Sequence, residues 1–371
     1  MEFENLKIQI DGEEADDLYP DLLGLEVELD DDLANMFRIH VSLLHQTDGT
    51  WKHIDDERLS VWRKVTIIAG FENDMEELIS GYITHVKPVF NPNPSQCSLE
   101  IWGMDGSILM DREEKLKEWP NKKDSDIASE LFRLYGFKPK VENTEIVHDE
   151  TVSTIIQRET DMQFLRRLAL RNGFECYVEG TKGYFQKAKL ELKPQPLLSV
   201  HFGGETNVNY FSIHVDALIP AHVSMFQVDR TDKEVLDVAI EKSVQTKLGN
   251  TGANGLIPSG INAGKVYIGM NTVTGHLEMN SLCEELFHKS EWFVTAEGEI
   301  PANLYRHILK PRGTVIIKGV GETHSGLYYV THVTHFFNPA GYTQFFRVKR
   351  NAIMPTGTEN YSSSGINGGL I

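Results

Sequence analysis

The sequence predicts a mainly β (α+β) fold: two similar antiparallel β units in one chain, closed as barrels or sandwiches, with small α/β modules inserted. Three observations carry this. Apolar and polar residues alternate at period two over the first hundred residues, in LKIQI, LEVEL, FRIHVSLL, KVTIIAGF, LISGYITHV and CSLEIWGM, the signature of half-buried strands. Two later stretches switch to helical spacing between strand-like runs. And one line is written twice: ITHVKPVFNP starts at Ile83 and VTHVTHFFNP at Val330, an offset of 330 − 83 = 247 positions.

Residues 1–112 read as six or seven short strands parted by Gly, Asp, Asn and Pro clusters, a block that closes into a barrel or folds into a sandwich to hide its edges. Residues 113–195 form an α/β module. In SDIASELFRLYGF, Ser125 or Asp124 caps a helix whose apolar stripe is Ile127, Leu131 and Leu134, and Gly136 ends it. In TDMQFLRRLALRNGF, Thr160 and Gln163 form a capping box, Met162, Leu165, Leu168 and Ala169 face inward, and Gly173 closes the helix. Strand patterning returns after KPQP, so residues 196–230 plus 313–353 are expected to make the second barrel. A mixed segment, residues 231–312, interrupts it with a helical stretch, HLEMNSLCEELFHKSEWFVTA, and residues 354–371 are a Gly/Ser-rich tail. The echo is larger than one decapeptide. KVTIIAGF, SGYITHVKPVFNP and CSLEIWGMD match TVIIKGV, SGLYYVTHVTHFFNP and TQFFRVKRN in the same order, as two copies of one β unit would.

The chain of 371 residues is long enough for more than one core, and its 40% hydrophobic content is ordinary for a folded protein. Acidic residues number 54 against 36 basic, for a net charge of −18. That balance argues against a surface built to neutralise a phosphate backbone. The acidic runs DGEEADD and ELDDDLANMF read as solvated turns. Cys97, Cys176 and Cys283 are scattered with no CxxC pair, and MEFENLKIQIDG has the pattern of neither a signal peptide nor a membrane anchor, so synthesis in the cytoplasm is expected.

A search for chemistry finds no constellation. His332 and His335 have an odd separation, which points strand side chains to opposite faces and away from a shared ion. GINAGKV lacks the Ser or Thr and the spacing of a phosphate loop, GVGETHSG leads into a strand, and neither HExxH nor GxSxG occurs. Neither a catalytic residue, a cofactor site nor a metal site is expected, and the chain reads as no enzyme.

The central and carboxy-terminal motifs resemble those of the phage late control protein D and VgrG-type baseplate hub proteins of contractile tails and contractile injection systems. The resemblance spans about Phe3 to Asn351. It rests on Gly81 to Ile83, Asp105, the YGF of Tyr135 to Phe137, Gln157, Thr160-Asp161, Phe164-Leu165, Leu168-Ala169 and Gly173-Phe174. Further on it rests on Pro311 to Gly313, Gly319, Gly321, Ser325-Gly326, Tyr329-Val330, His335, Tyr342 and Arg350-Asn351. It implies barrels like tail-tube subunits and a homotrimer with pseudo-sixfold symmetry. That trimer would join a trimeric central spike on one side to hexameric tube or tube-initiator proteins on the other, with baseplate wedge components as further neighbours. The spike is expected as a separate polypeptide, because MPTGTENYSSSGINGGLI is too short for one. Neither specific nucleic-acid binding nor membrane insertion is implied, and part of the acidic charge would line a channel and repel passing cargo. The expected subunit-interface strands are Val65, Thr66, Ile67 and Ile68 in the first unit and Val315, Ile316, Ile317 and Lys318 in the second, chosen as barrel edges. Competing readings are a β-barrel hydrolase with an acidic cleft and a carbohydrate-binding module; neither explains the repeated unit.

Overall fold

Alternation sets each strand's buried face. The computed structural model describes residues 6–362 apart from 72–73, 152–153, 219–220, 229–232, 243, 259, 262–263, 270–272 and 274, so part of GINAGKV and residues 363–371 of the tail lie outside the described residues. In the first unit, β1 (Leu6–Ile10), β2 (Leu22–Asp30), β3 (Met36–Ser42), β4 (Lys64–Phe71), β5 (Asp74–Val89) and β6 (Ser98–Asp105) run in the spatial order β2-β3-β6-β5-β4-β1. Their inward residues, among them Ile8, Leu25, Val27, Ile39, Ile67, Ile83 and Ile101, form one apolar core.

The inserted module holds α1 (Asp124–Leu134), β7 (Lys138–Val141), α2 (Asp161–Asn172), β8 (Phe174–Glu179) and β9 (Lys182–Lys187). The α2 cap is as the sequence predicts: the Gln163 amide donates to Thr160 Oγ1 at 3.3 Å, and Gly173 leaves the helix at φ 67°. The α1 cap differs. Lys123 occupies the cap position without a side-chain bond, because the Asp124 carboxylate is taken by His148, Arg171 and Asn172.

In the second unit, β10 (Gln195–Ser199) is followed by β11 (Tyr210–Val215). Then β12 (Ala221–Val228), β13 (Val235–Ile240) and β14 (Gly264–Ile268) form a separate three-stranded sheet against α3 (His276–Lys289). The chain returns through β15 (Val294–Pro301), β16 (Thr314–Lys318), β17 (Gly326–Asn338) and β18 (Gly341–Arg350). Two segments sit elsewhere than the pattern suggests. AHVSMFQV, expected in the second β unit, pairs within the smaller sheet as β12, and VTAEGEIP, read partly as helix, is β15, a strand of the large sheet between β11 and β18. The helix stops at Lys289, and the alternation of buried Val294, Ala296 and Ile300 was hidden behind the apolar WFVTA run.

The two units share one continuous sheet, in which β11-β15-β18-β17 is joined to β2-β3-β6-β5-β4-β1 through the pairing of β17 with β2. The echo is structural as well as textual. The β5–β6 ladder slips between Ile83 and His85, and the β17–β18 ladder slips between Val330 and His332, which is the same place in each copy of the repeated line. No helix among the described residues is long and apolar enough to cross a membrane.

Candidate assembly surface

The eight residues expected at a seam lie in the interior of the sheet. Val65, Thr66, Ile67 and Ile68 are in β4, which is bonded to β1 on one side and β5 on the other. Val315, Ile316, Ile317 and Lys318 are in β16, bonded to β10 and β17. Val65, Ile67, Val315 and Ile317 are core residues; Thr66 bonds Ser80 across the ladder at 3.2 Å, and Lys318 Nζ reaches Glu205 at 2.5 Å and the Tyr361 carbonyl at 3.1 Å. Neither stretch offers a free backbone edge over these residues. The leading strands β1 and β10 cover them, β10 in parallel, and the order of strands within a sheet is not written in local periodicity.

The free edges are elsewhere. β11 is paired only with β15, and the distal half of β5, from Thr84 on, only with β6 among the described residues. Their side chains are correspondingly open: Val86 is 36% exposed, Phe90 57% and Val215 41%. Antiparallel edges with unpaired N–H and C=O groups are templates for another strand.

Within the chain, the same kind of edge is already used. β2 and β17 pair over six residues, from His332 opposite Asp30 to Phe337 opposite Leu25. At one end His332 Nδ1 and Asp30 Oδ2 lie 3.0 Å apart, the Asp31 amide donates to the Thr331 carbonyl at 2.8 Å, and Lys349 Nζ meets Asp31 at 3.1 Å. Burial pushes the Asp30 carboxyl up, but the His332 hydrogen bond and the amides of Leu33 and Asp32 outweigh it and hold it at about 2. At the other end, Phe337 enters the first unit's core, stacked on Tyr342 with ring centres 4.1 Å apart. The run ELDDDLANMF is therefore more than a solvated turn: Asp30 Oδ1 accepts the Asp32 and Leu33 amides within it, while Asp30 and Asp31 also clamp the joint between the two units. Sequence reading missed this pairing because its partners stand about 300 positions apart.

The chemistry-bearing side chains have structural occupations. His335 is fully buried and bonds Tyr342 at 2.8 Å, on the opposite face from His332. Asp17, His53 and Asp56 gather closely enough to ligate an ion, but the Arg58 guanidinium already bridges both carboxylates, at 2.7 Å to Asp17 and 2.6 Å to Asp56. All three cysteines are buried, and burial pushes the Cys176 thiol up to about 12, the wrong direction for a nucleophile.

Solved structures share this architecture. The 43 kDa tail protein of prophage MuSo2 from Shewanella oneidensis superposes with TM-score 0.69 at 13% identity, over 94% of this chain and 99% of that one. The E. coli c3393 protein, described as a type VI secretion system component structurally similar to the T4 tail proteins gp27 and gp5, gives 0.55 at 12% identity, over 93% and 76%. A chain of the Francisella PdpA-VgrG complex gives 0.53 at 9% identity, over 98% of this chain and 60% of that one. The fold is thus that of phage tail and VgrG-type proteins. No curated protein matches the sequence. Residues 1–338 match the profile of the Alg8 N-terminal domain, and the chain belongs to that family.

Proposed function

We propose that the protein is a structural baseplate hub: a homotrimer with pseudo-sixfold symmetry that joins a trimeric central spike to the hexameric inner tube of a contractile phage tail or contractile injection system. The observation that carries this reading is the repeated β unit, whose two copies share a sequence echo and a bulge at the same place. Three chains with two such units each offer six similar surfaces to a sixfold tube while remaining threefold toward a spike. The fold shared with tail proteins supports the same role. Its work is templating rather than catalysis, carried out in the baseplate of a virion or injection particle after assembly in the bacterial cytoplasm, with wedge components as peripheral neighbours.

The face of the sheet turned from the core bears on cargo passage. It carries Glu26, Glu28, Glu100 and Glu297, but also Arg38, Lys87 and Arg347, with Arg38 and Lys87 at 3.1 and 3.6 Å from Glu100. If this face lines a lumen, Glu100 is offset by Arg38 and Lys87, while Glu26, Glu28 and Glu297 would repel passing polyanions. The test of the hub is the native mass of the purified chain. The expected outcome is three times 42.0 kDa; a monomer at micromolar concentration, alone and with spike protein, refutes the trimer.

A further inference from the structure

We infer that the trimer closes by pairing β11 of one copy with the distal half of β5 of the next, in the register that β2 and β17 already use inside each chain, and that Asp216 and His85 form an ion pair across that seam. This rests on the trimer proposed above and names its interface.

The register follows from equivalent residues. Trp102 lies opposite Arg38 and His85, as Arg347 lies opposite Glu297 and His332. Arg38 is opposite Glu26, and Glu297 is opposite Ser212. Ser212 therefore stands in the second unit where Glu26 stands in the first. Glu26 faces Phe336, whose echo in the repeated line is Val89. Ser212 of one copy is thus placed opposite Val89 of the next, and four residues along the ladder Asp216 is placed opposite His85.

Two features agree with that register. Asp30 and His332, the intrachain pair at this position, are Asp and His again as Asp216 and His85. Val333 and Phe337, buried at 0% and 3% beneath β2, have the exposed echoes Val86 and Phe90. Phe337 enters the core of the unit that it joins, so Phe90 is given the matching place beside Phe211 in the second unit of the next copy. One position differs: Pro88 replaces His335 and brings no backbone N–H, which removes one donor from the ladder opposite Ile213. The joint is heterologous, the kind that closes into a ring when the rotation between units allows it.

The test is Val86→Cys combined with Val215→Cys, which the register sets directly opposite at a Cα separation of about 4.5–5.5 Å, within disulfide reach. The native cysteines are all buried and do not compete. Mild oxidation followed by denaturing electrophoresis is expected to give linked species that end at three copies, with at least tenfold less product from the off-register pair Val86→Cys with Ile213→Cys. A native trimer that links in neither variant, or better in the off-register one, overturns the seam and leaves the trimer standing. Linked species that run past three copies keep the seam and refute threefold closure; a monomeric wild type whose cysteine variants never link overturns both. As a second measurement, Asp216→Lys should weaken assembly at least tenfold, and His85→Glu added to it should restore most of the loss. No rescue removes the ion pair from the proposal.

Discussion

His335 shows how one buried side chain sets a pH limit on the fold. It has no exposed surface, and its Nδ1 bonds Tyr342 while Nε2 has no hydrogen-bond partner among the described residues. Burial, with Lys310 and His332 nearby, pushes its pKa down from 6.5 to about 3. The folded protein therefore keeps this ring neutral over a range in which the unfolded chain takes up a proton. Stability is lost as pH falls below 6.5, at up to about 1.4 kcal/mol per unit, so that pH 5 costs about 2 kcal/mol relative to neutrality. Asp30 acts lower on the scale: with its carboxyl held at about 2, its contribution is present above the unfolded value near 4 and fades as pH falls toward 2. Denaturant titrations of wild type and His335→Met from pH 7 to 5 should show the variant's stability falling by about 2 kcal/mol less. Parallel curves would show that His335 titrates as it does in the unfolded chain.

At the scale of elements, close strand packing depends on two glycines. A Cβ on Gly103 in β6 would lie 2.0 Å from the Phe37 ring and 2.5 Å from the Tyr82 carbonyl; one on Gly298 in β15 would lie 2.5 Å from the Phe346 ring and 2.8 Å from the Tyr210 carbonyl. Turning the ring relieves only half of each clash, because the other half is backbone. Gly103→Ala and Gly298→Ala are each expected to cost roughly 1–3 kcal/mol, and an unchanged thermal midpoint would refute the crowding. Gly298 also shows where sequence reading stops. The strands of the first unit and both helices of the inserted module were legible, because alternation, caps and closing glycines are local signals. β15 was not, since WFVTA continued an apolar run from α3 and its alternation became visible only against β11 and β18. The edges went unread for a related reason: β1 and β10 cover β4 and β16, and which strand covers which is decided by contacts distant in sequence. The echo was legible, and the proposed seam is argued from it.

Across the whole molecule, the inserted segments are tied to each other as well as to the barrels. Arg171, near the end of α2, donates to the Asp124 carboxylate at the start of α1 and, at 3.2 Å, to Glu278 at the start of α3, while the Ser281 hydroxyl of α3 donates to the Arg171 carbonyl at 3.3 Å. Asp124 is 3% exposed, and burial alone would push its carboxyl up; His148 at 3.0 Å and Arg171 reverse this and hold it at about 2. One guanidinium thus compensates a buried charge and fastens the second unit's insertion to the first's. Removing a single partner of such a pair is costlier than removing both, because it strands the remaining charge. Arg171→Met should therefore destabilise the protein by about 3 kcal/mol and raise amide exchange in α3, whereas Asp124→Asn with Arg171→Met should cost less than the sum of the single changes. If Arg171→Met unfolds within about 0.5 kcal/mol of wild type, or if α3 exchange is unchanged, the two insertions are held together by the α2–α3 packing and the Ser281 hydrogen bond rather than by the charge of Arg171.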